Sequence, residues 1–160
     1  MNKAEIIELL EKEHLAYEAV EHPAIFTIDE MLSIHLPHPE TVAKNLFLRD
    51  DKKRKYYLLT VCEEKHIDLR QFSEDHGTRR LSFASDEDLL RILGLHQGSV
   101  TPFGLLNDAS HQVKFFLDAD FQGKQIGIHP NENTATVWMQ ADDLIRLLKE
   151  KGCETEYAVI

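Results

Sequence analysis

The hydrophobic pattern predicts an α/β chain of the α+β type, with a mixed, largely antiparallel β-sheet flanked by helices. Leu46-Phe47-Leu48 and Tyr56-Tyr57-Leu58-Leu59-Thr60-Val61 are β-type runs joined by the charged turn Asp50-Asp51-Lys52-Lys53, which makes a hairpin and an antiparallel pair. Amphipathic helical stretches fall irregularly among such runs, so the strict strand-helix repeat of a doubly wound parallel sheet is missing. The 160 residues, 42% hydrophobic, suit one domain over residues 1–160 with a substantial core, and 7 Gly and 5 Pro are too few for a linker-dominated chain.

Each element has its own signal. Residues 3–14 set Ile6, Ile7, Leu9 and Leu10 on a stripe opposite Glu5, Glu8, Glu11 and Lys12, which predicts an outer helix. Residues 16–21 alternate as a short strand that His22-Pro23 ends, because a residue before proline avoids the helical region. Thr27 caps a helix from residue 28 to about 34, with Glu30 placed to complete a capping box, and Pro37 and Pro39 stop it. After the hairpin, residues 68–76 read as a helix and 80–83 as a short strand. Ser85 and Asp88 then open a helix over 86–93 that Gly94 closes in the left-handed region. The runs at 113–117, 125–128 and 134–139, broken by Gly123 and by His129-Pro130-Asn131-Glu132-Asn133, are expected in one sheet. Residues 141–151 carry Leu144, Ile145, Leu147 and Leu148 on one face and end at Gly152, leaving 155–159 as a terminal strand.

Charge and cysteine usage exclude several function classes. A net charge of −10 argues against broad non-specific nucleic-acid binding, so any nucleic-acid partner is met through a small basic patch. No apolar run approaches the roughly 18 residues that span a bilayer, and the N-terminus with Glu5, Glu8, Glu11 and Glu13 does not resemble a signal peptide. The expectation is a cytoplasmic protein without a membrane partner. Cys62 and Cys153 are read as reduced thiols.

His35-x-x-His38 straddles Pro37 and has no accompanying Cys/His cluster, so no metal is assigned and these are read as surface histidines. There is no Gly-x-Ser-x-Gly elbow, no phosphate loop of the Walker type and no dinucleotide fingerprint. Three features stand out. Lys44-Asn45, immediately before the strand at 46–48, offers an ammonium and a carboxamide for a phosphate or carbonyl oxygen, or is simply solvated. Gly98-Ser99-Val100-Thr101-Pro102-Phe103-Gly104 is a tight loop whose backbone N–H groups can approach a ligand oxygen, or an ordinary turn. His129-Pro130-Asn131-Glu132-Asn133 presents an imidazole and two amides in a turn between strands, or forms an Asx-turn.

Together, in this order and at similar separations, the three motifs resemble the YbaK/ProX superfamily of aminoacyl-tRNA deacylases, over essentially the whole chain. The full Gly-Ser-Val-Thr-Pro-Phe-Gly loop is most similar to the free-standing prolyl-tRNA editing branch, of the ProXp-ala type, which resembles the editing domain inserted in bacterial prolyl-tRNA synthetase. The resemblance implies the editing-domain fold and hydrolysis of alanine mischarged on proline tRNA, by water and without a cofactor. Alternatives are a deacylase of the same class for cysteine or serine on tRNA, or a non-catalytic module that binds tRNA or a synthetase. Lys44, Gly98 and His129 would be the catalytic set: Lys44 at the phosphate or ester, the Gly98 loop donating N–H groups to the developing oxyanion, and His129 orienting substrate. Asn45, Ser99, Val100, Thr101, Pro102, Asn131 and Asn133 would contact substrate, and Ile28, Leu32 and Val100 would wall the amino-acid pocket. Relatives often carry a longer polar stretch where Leu36-Pro37-His38-Pro39-Glu40 precedes the Lys-Asn pair here. The implied partners are aminoacylated tRNA and prolyl-tRNA synthetase, not DNA. Arg49, Lys52, Lys53, Arg54, Lys55, Arg79 and Arg80 are the basic candidates for tRNA phosphates, against the plainer reading of a solvated hairpin turn.

Overall fold

The computed structural model describes the backbone of residues 1–160 and every side chain except that of Ile28. In chain order the elements are α1 Lys3–Lys12, β1 Tyr17–Glu21, α2 Ile28–Ile34, β2 Ala43–Asp50, β3 Tyr56–Cys62, α3 Leu69–His76, β4 Leu81–Phe83, α4 Asp86–Leu93, β5 Val113–Asp118, β6 Gln125–Ile128, β7 Ala135–Gln140, α5 Ala141–Glu150 and β8 Glu154–Ala158. Short 3₁₀ turns occupy Pro39–Thr41, Pro102–Asn107 and Ala119–Phe121. No helix is long and apolar enough to cross a membrane.

The strands form two sheets, a three-stranded one in the order β1-β7-β6 and a five-stranded one in the order β4-β2-β3-β5-β8. All pairings are antiparallel except β3 with β5 and β5 with β8. The expectation that the runs at 113–117, 125–128 and 134–139 share a sheet is therefore corrected. β5 lies between β3 and β8, buried along nearly its whole length. The β6–β7 hairpin packs on the opposite side of the same core, where Ile126, Ile128, Val137 and Met139 meet Phe47, Leu58, Phe115 and Leu117. A continuous apolar run is compatible with either location, so its composition does not reveal its partner.

Ile6 and Leu10 of α1, Leu89, Ile92 and Leu93 of α4, and Leu144, Leu147 and Leu148 of α5 close that core. The outer face of the five-stranded sheet buries Leu48, Tyr57, Leu59 and Phe116 under Phe72 of α3. A third cluster, Met31, Leu36, Val42 and Trp138, seats α2. It depends on Gly127: a Cβ there would stand 2.6 Å from Trp138 Nε1, so only glycine lets the indole cross the strand.

The local caps explain the helix starts. Asn2 accepts from Glu5 N at 2.9 Å while Glu5 accepts from Asn2 N at 3.3 Å, a reciprocal box. At α2 Thr27 accepts from Glu30 N, but Glu30 accepts from Phe26 N at 2.8 Å, so the second half of the expected box falls one residue earlier. α1 ends two residues before the predicted His14, which turns into a positive φ of 55°. The Lys44-Asn45 pair lies inside a strand rather than before it, since β2 begins at Ala43.

Candidate active site

The functional geometry follows from an incomplete edge. β4 pairs with β2 only over Leu48, Arg49 and Asp50, and β6 touches its approach only through a parallel bridge between Val42 and Gly127. Between them the edge of β2 has no partner strand. Ala84 N donates to Phe47 O at 3.0 Å, so the antiparallel alternation aims the backbone N–H and C=O of Asn45 at the same gap.

The gap is a cavity of two lobes. One, about 340 Å³, is lined by Lys44, Asn45, Phe83, Asp86, Gln97 and Val100 among others. The other, the Met31 lobe of about 300 Å³, is lined by Ile25, Phe26, Met31, Leu36 and Val42 together with Thr27, Glu63 and Thr136. Ala43, Gly98 and His129 belong to both, which puts them at the junction.

Lys44 takes part in none of the ion pairs among the described residues. Its ammonium remains available to an external anion. Thr60, fully buried, donates to Asn45 Oδ1 at 2.5 Å, which leaves the Asn45 amide N–H groups as donors to the cavity. Gly98 sits in a turn closed by Ser99 N donating to His96 O at 3.0 Å, with φ 91°. This is the position that favours glycine. Ser99 N–H is thereby spent, whereas among the described residues the N–H groups of Gly98 and Val100 have no intramolecular acceptor.

His129 Nδ1 lies 2.8 Å from the carbonyl oxygen of Ala135. A carbonyl only accepts, so Nδ1 carries the proton and neutral His129 offers Nε2 as an acceptor. Burial, more than the opposing Ala135 hydrogen bond, pushes its pKa below the ordinary histidine value. The His22 ring stands behind it, 6.2 Å away between centroids, held by contacts of 2.8 Å to Pro23 O and to the hydroxyl of Thr136.

The remaining expected site residues are divided. Val100 lines the first lobe, while Ser99 lines neither. Thr101 and Pro102 are buried in the packing beneath the loop, where Thr101 Oγ1 donates to His129 O at 2.6 Å and couples two of the three motifs. Gly104, at the far end of the loop, packs against Leu95 rather than facing a ligand. Asn131, at φ 65°, donates to Met1 O at 2.9 Å and anchors the N-terminus away from the cavity. Asn133 braces the wall by donating to Ile25 O at 3.5 Å, and its amide lies beside Gly98. Leu32 is exposed and lines neither lobe; the side chain of Ile28 lies outside the described residues. From this segment Met31 and Leu36 line the second lobe in place of Leu32.

The basic run sits at the other end of β2, roughly 20 Å from Lys44 at about 3.3 Å per strand residue. Arg49 is paired with Asp88 at 2.8 Å and Arg79 with Asp51 at 2.5 Å. Lys52, Lys53 and Arg54 are exposed in the hairpin turn, Lys55 lines a separate groove with Tyr57 and Lys114, and Arg80 lines another with Arg70. His35 caps α2 with φ 57° and His38 contacts Glu18 at 3.3 Å, so the two do not form a joint site.

Sequence reasoning missed Glu63, Phe83, Met31 and His22. Only Glu63 had a legible signal. Continuing the hairpin register past Ala43 opposite Cys62 sets Glu63 across from Val42, beside the Lys-Asn pair.

Known proteins share both fold and sequence with this chain. A solved structure described as a candidate trans-editing enzyme for prolyl tRNA synthetase superposes with a TM-score of 0.68 at 22% identity, over 98% of this chain and 96% of that one, a likeness of fold. The prolyl-tRNA editing protein ProX of Acetoanaerobium sticklandii is 37% identical over 151 residues, covering 94% of this chain and 92% of its own length. The prolyl-tRNA synthetase associated domain-containing protein 1 of Mus musculus is 36% identical over 156 residues, covering 94% and 91%. Since the aminoacyl-tRNA editing domain also matches residues 22–147, which hold the whole cavity, the chain belongs to that family, the YbaK/ProX superfamily.

Proposed function

We propose that the protein hydrolyses the ester that joins alanine to the terminal ribose of proline tRNA, sparing prolyl-tRNA, as a free-standing editing enzyme of the cytosol. The observation that carries this reading is the junction of the two lobes. A neutral imidazole acceptor and the unspent Gly98 N–H stand at it, and the unpaired Lys44 and the unspent Val100 N–H line the lobe that opens from it.

An aminoacyl ester has an amino-acid side and a ribose-phosphate side, and the two lobes can take one each, the amino acid beside Met31 and Leu36 and the ribose-phosphate beside Lys44 and Asn45. With the ester at the junction, Lys44 meets the terminal phosphate or the ester oxygen, and Asn45 hydrogen-bonds the ribose. Gly98 and Val100 donate to the oxyanion that develops as water attacks, each aligned donor being worth about 3 kcal/mol. His129 Nε2 accepts from the substrate's free ribose hydroxyl or from the attacking water, so its role is orientation within a preformed site. These groups need no metal. The Met31 lobe exceeds a methyl group in volume, so discrimination against proline rests on the local contour around Met31 and Leu36, a steric sieve. The name of the bacterial relative, a prolyl-tRNA editing protein, supports editing on proline tRNA, and that of the mouse relative supports an association with prolyl-tRNA synthetase.

Single-turnover deacylation of proline tRNA charged with alanine, cysteine, serine or proline tests the reading. Alanine should be removed fastest, proline should be retained, and chelator should not change the rate. Preferential release of cysteine or serine would reassign the substrate. Loss of activity in chelator that zinc restores would overturn the metal-free mechanism, and tRNA binding without hydrolysis would leave a binding module.

A further inference from the structure

We propose that Glu63 receives the α-ammonium group of the aminoacyl ester, so that the enzyme recognises the charged amine as well as the size of the side chain. This inference rests on the editing function proposed above. Glu63 follows β3 and reaches the Met31 lobe, where it is the one carboxylate among the lining residues. It is half-buried, and among the described residues its carboxylate has neither a hydrogen-bond donor nor an ion-pair partner.

Burial without a partner is costly for a carboxylate. Desolvation pushes the Glu63 pKa up, and the nearby charge of Lys44 only partly opposes it. A ligand cation would remove the mismatch. Lys44 and Glu63 therefore present one positive and one negative group on either side of the lobe junction. An aminoacyl-tRNA terminus carries the complementary pair, a phosphate on one side of its ester and an ammonium on the carbon next to the ester carbonyl on the other. The amine is largely protonated at and below neutral pH. Asp86, the other carboxylate at the cavity, is exposed in the lobe that Lys44 lines, the wrong side for this role.

The test compares an aminoacyl ester with its α-hydroxy counterpart, which keeps the size and the ester but replaces the ammonium by a hydroxyl. Single-turnover rates are measured for the unmodified protein and for Glu63→Gln, using whichever aminoacyl-tRNA the unmodified protein hydrolyses fastest and the matching tRNA deaminated to the hydroxy acid. Each rate is corrected for spontaneous hydrolysis. Glu63→Gln should slow the amine-bearing substrate about ten- to hundredfold, as expected for one charge-assisted contact, and leave the hydroxy-acid ester unchanged or faster. Equal slowing of both esters would mean that Glu63 serves water activation or packing, and no slowing of either would mean no contact; both outcomes overturn the inference while the editing reading stands. Failure of the unmodified protein to hydrolyse any aminoacyl-tRNA would instead overturn the editing reading, and the role of Glu63 with it. A melting curve of Glu63→Gln, and the hydroxy-acid ester tested on the unmodified protein, keep a folding defect from mimicking the expected result.

Discussion

Arg49 and Arg79 at the hairpin end of β2 and Lys44 at its cavity end are treated by the chain in opposite ways. At the hairpin end Arg49 reaches Asp88 at 2.8 Å, tying the strand to α4, and Arg79 grips Asp51 through two nitrogens. At the cavity end Lys44 has no such partner, although its charge is felt by Glu63 in the adjoining lobe. The physical lesson is that a positive charge already paired with a carboxylate has little attraction left for a phosphate, whereas an unpaired one beside a cavity keeps it. Asp51 shows the neutralisation from the other side: the Arg79 hydrogen bond holds its carboxyl below the usual range. At Asp88 burial raises the pKa, but hydrogen bonds from Arg91 and Arg49 outweigh it and the net shift is downward.

This contrast can be broken most severely at its unpaired end. Lys44→Ala should reduce single-turnover deacylation about a hundredfold, the scale of losing a positioned charge at the reacting group, without a comparable fall in melting temperature. A near-normal rate would remove Lys44 from the mechanism. Gly98→Ala should follow, with a loss of about tenfold or more and a stability cost of about 1 kcal/mol from its positive φ. The added Cβ would meet the Phe26 ring at 3.4 Å, a contact rather than a clash, so the damage should come from the altered turn. Ser99→Ala should keep most of the rate, because its hydroxyl has no part in the proposed chemistry; the reverse ranking of these two variants would indicate serine catalysis.

A pH profile sharpens the comparison further. His129 is neutral in its working form and its folded pKa is depressed, so activity should hold as pH falls through the ordinary histidine value of about 6.5 and decline only below it. The same sign applies to stability: the unfolded chain binds the proton first, so the contribution of neutral His129 is complete above about 6.5 and is lost toward its lower folded pKa. A decline centred at or above the ordinary value would contradict the buried neutral form. The smallest effect belongs to the paired end, where Arg79→Ala should leave deacylation within about twofold, as its charge is already offset. A large drop with Arg79→Ala, read against salt concentration, would show that tRNA displaces Asp51.

The legible parts of the fold were those governed by neighbours along the chain. Thr27, Asp68 and Ser85 cap the helices expected to follow them, each accepting from the backbone N–H three residues on. Gly94 ends α4 at φ 66°. The site was legible where one motif supplies the geometry by itself, as with the Gly98 turn. It was not legible where the same motif turns a residue inward: Thr101 and Pro102 belong to the loop that carries Gly98, yet both are buried, and Asn131 shares a turn with His129 but holds Met1.

Nearly every helix and strand and the hairpin of β2 with β3 were readable from the chain alone, whereas the three cavity segments were joined only through the family resemblance. The helices, strands and hairpin depend on capping, alternation and turn chemistry, which act over a few residues. Tertiary structure alone decided that β5 parts from β6 and β7, that β2 keeps an open edge between β4 and β6, that Arg49 and Arg79 are paired while Lys44 is not, and that Glu63, Met31 and Phe83 join the cavity. Strand partners and ion pairs are chosen by which surfaces the shared core brings together across long sequence separations, and composition within a single segment carries no record of that choice.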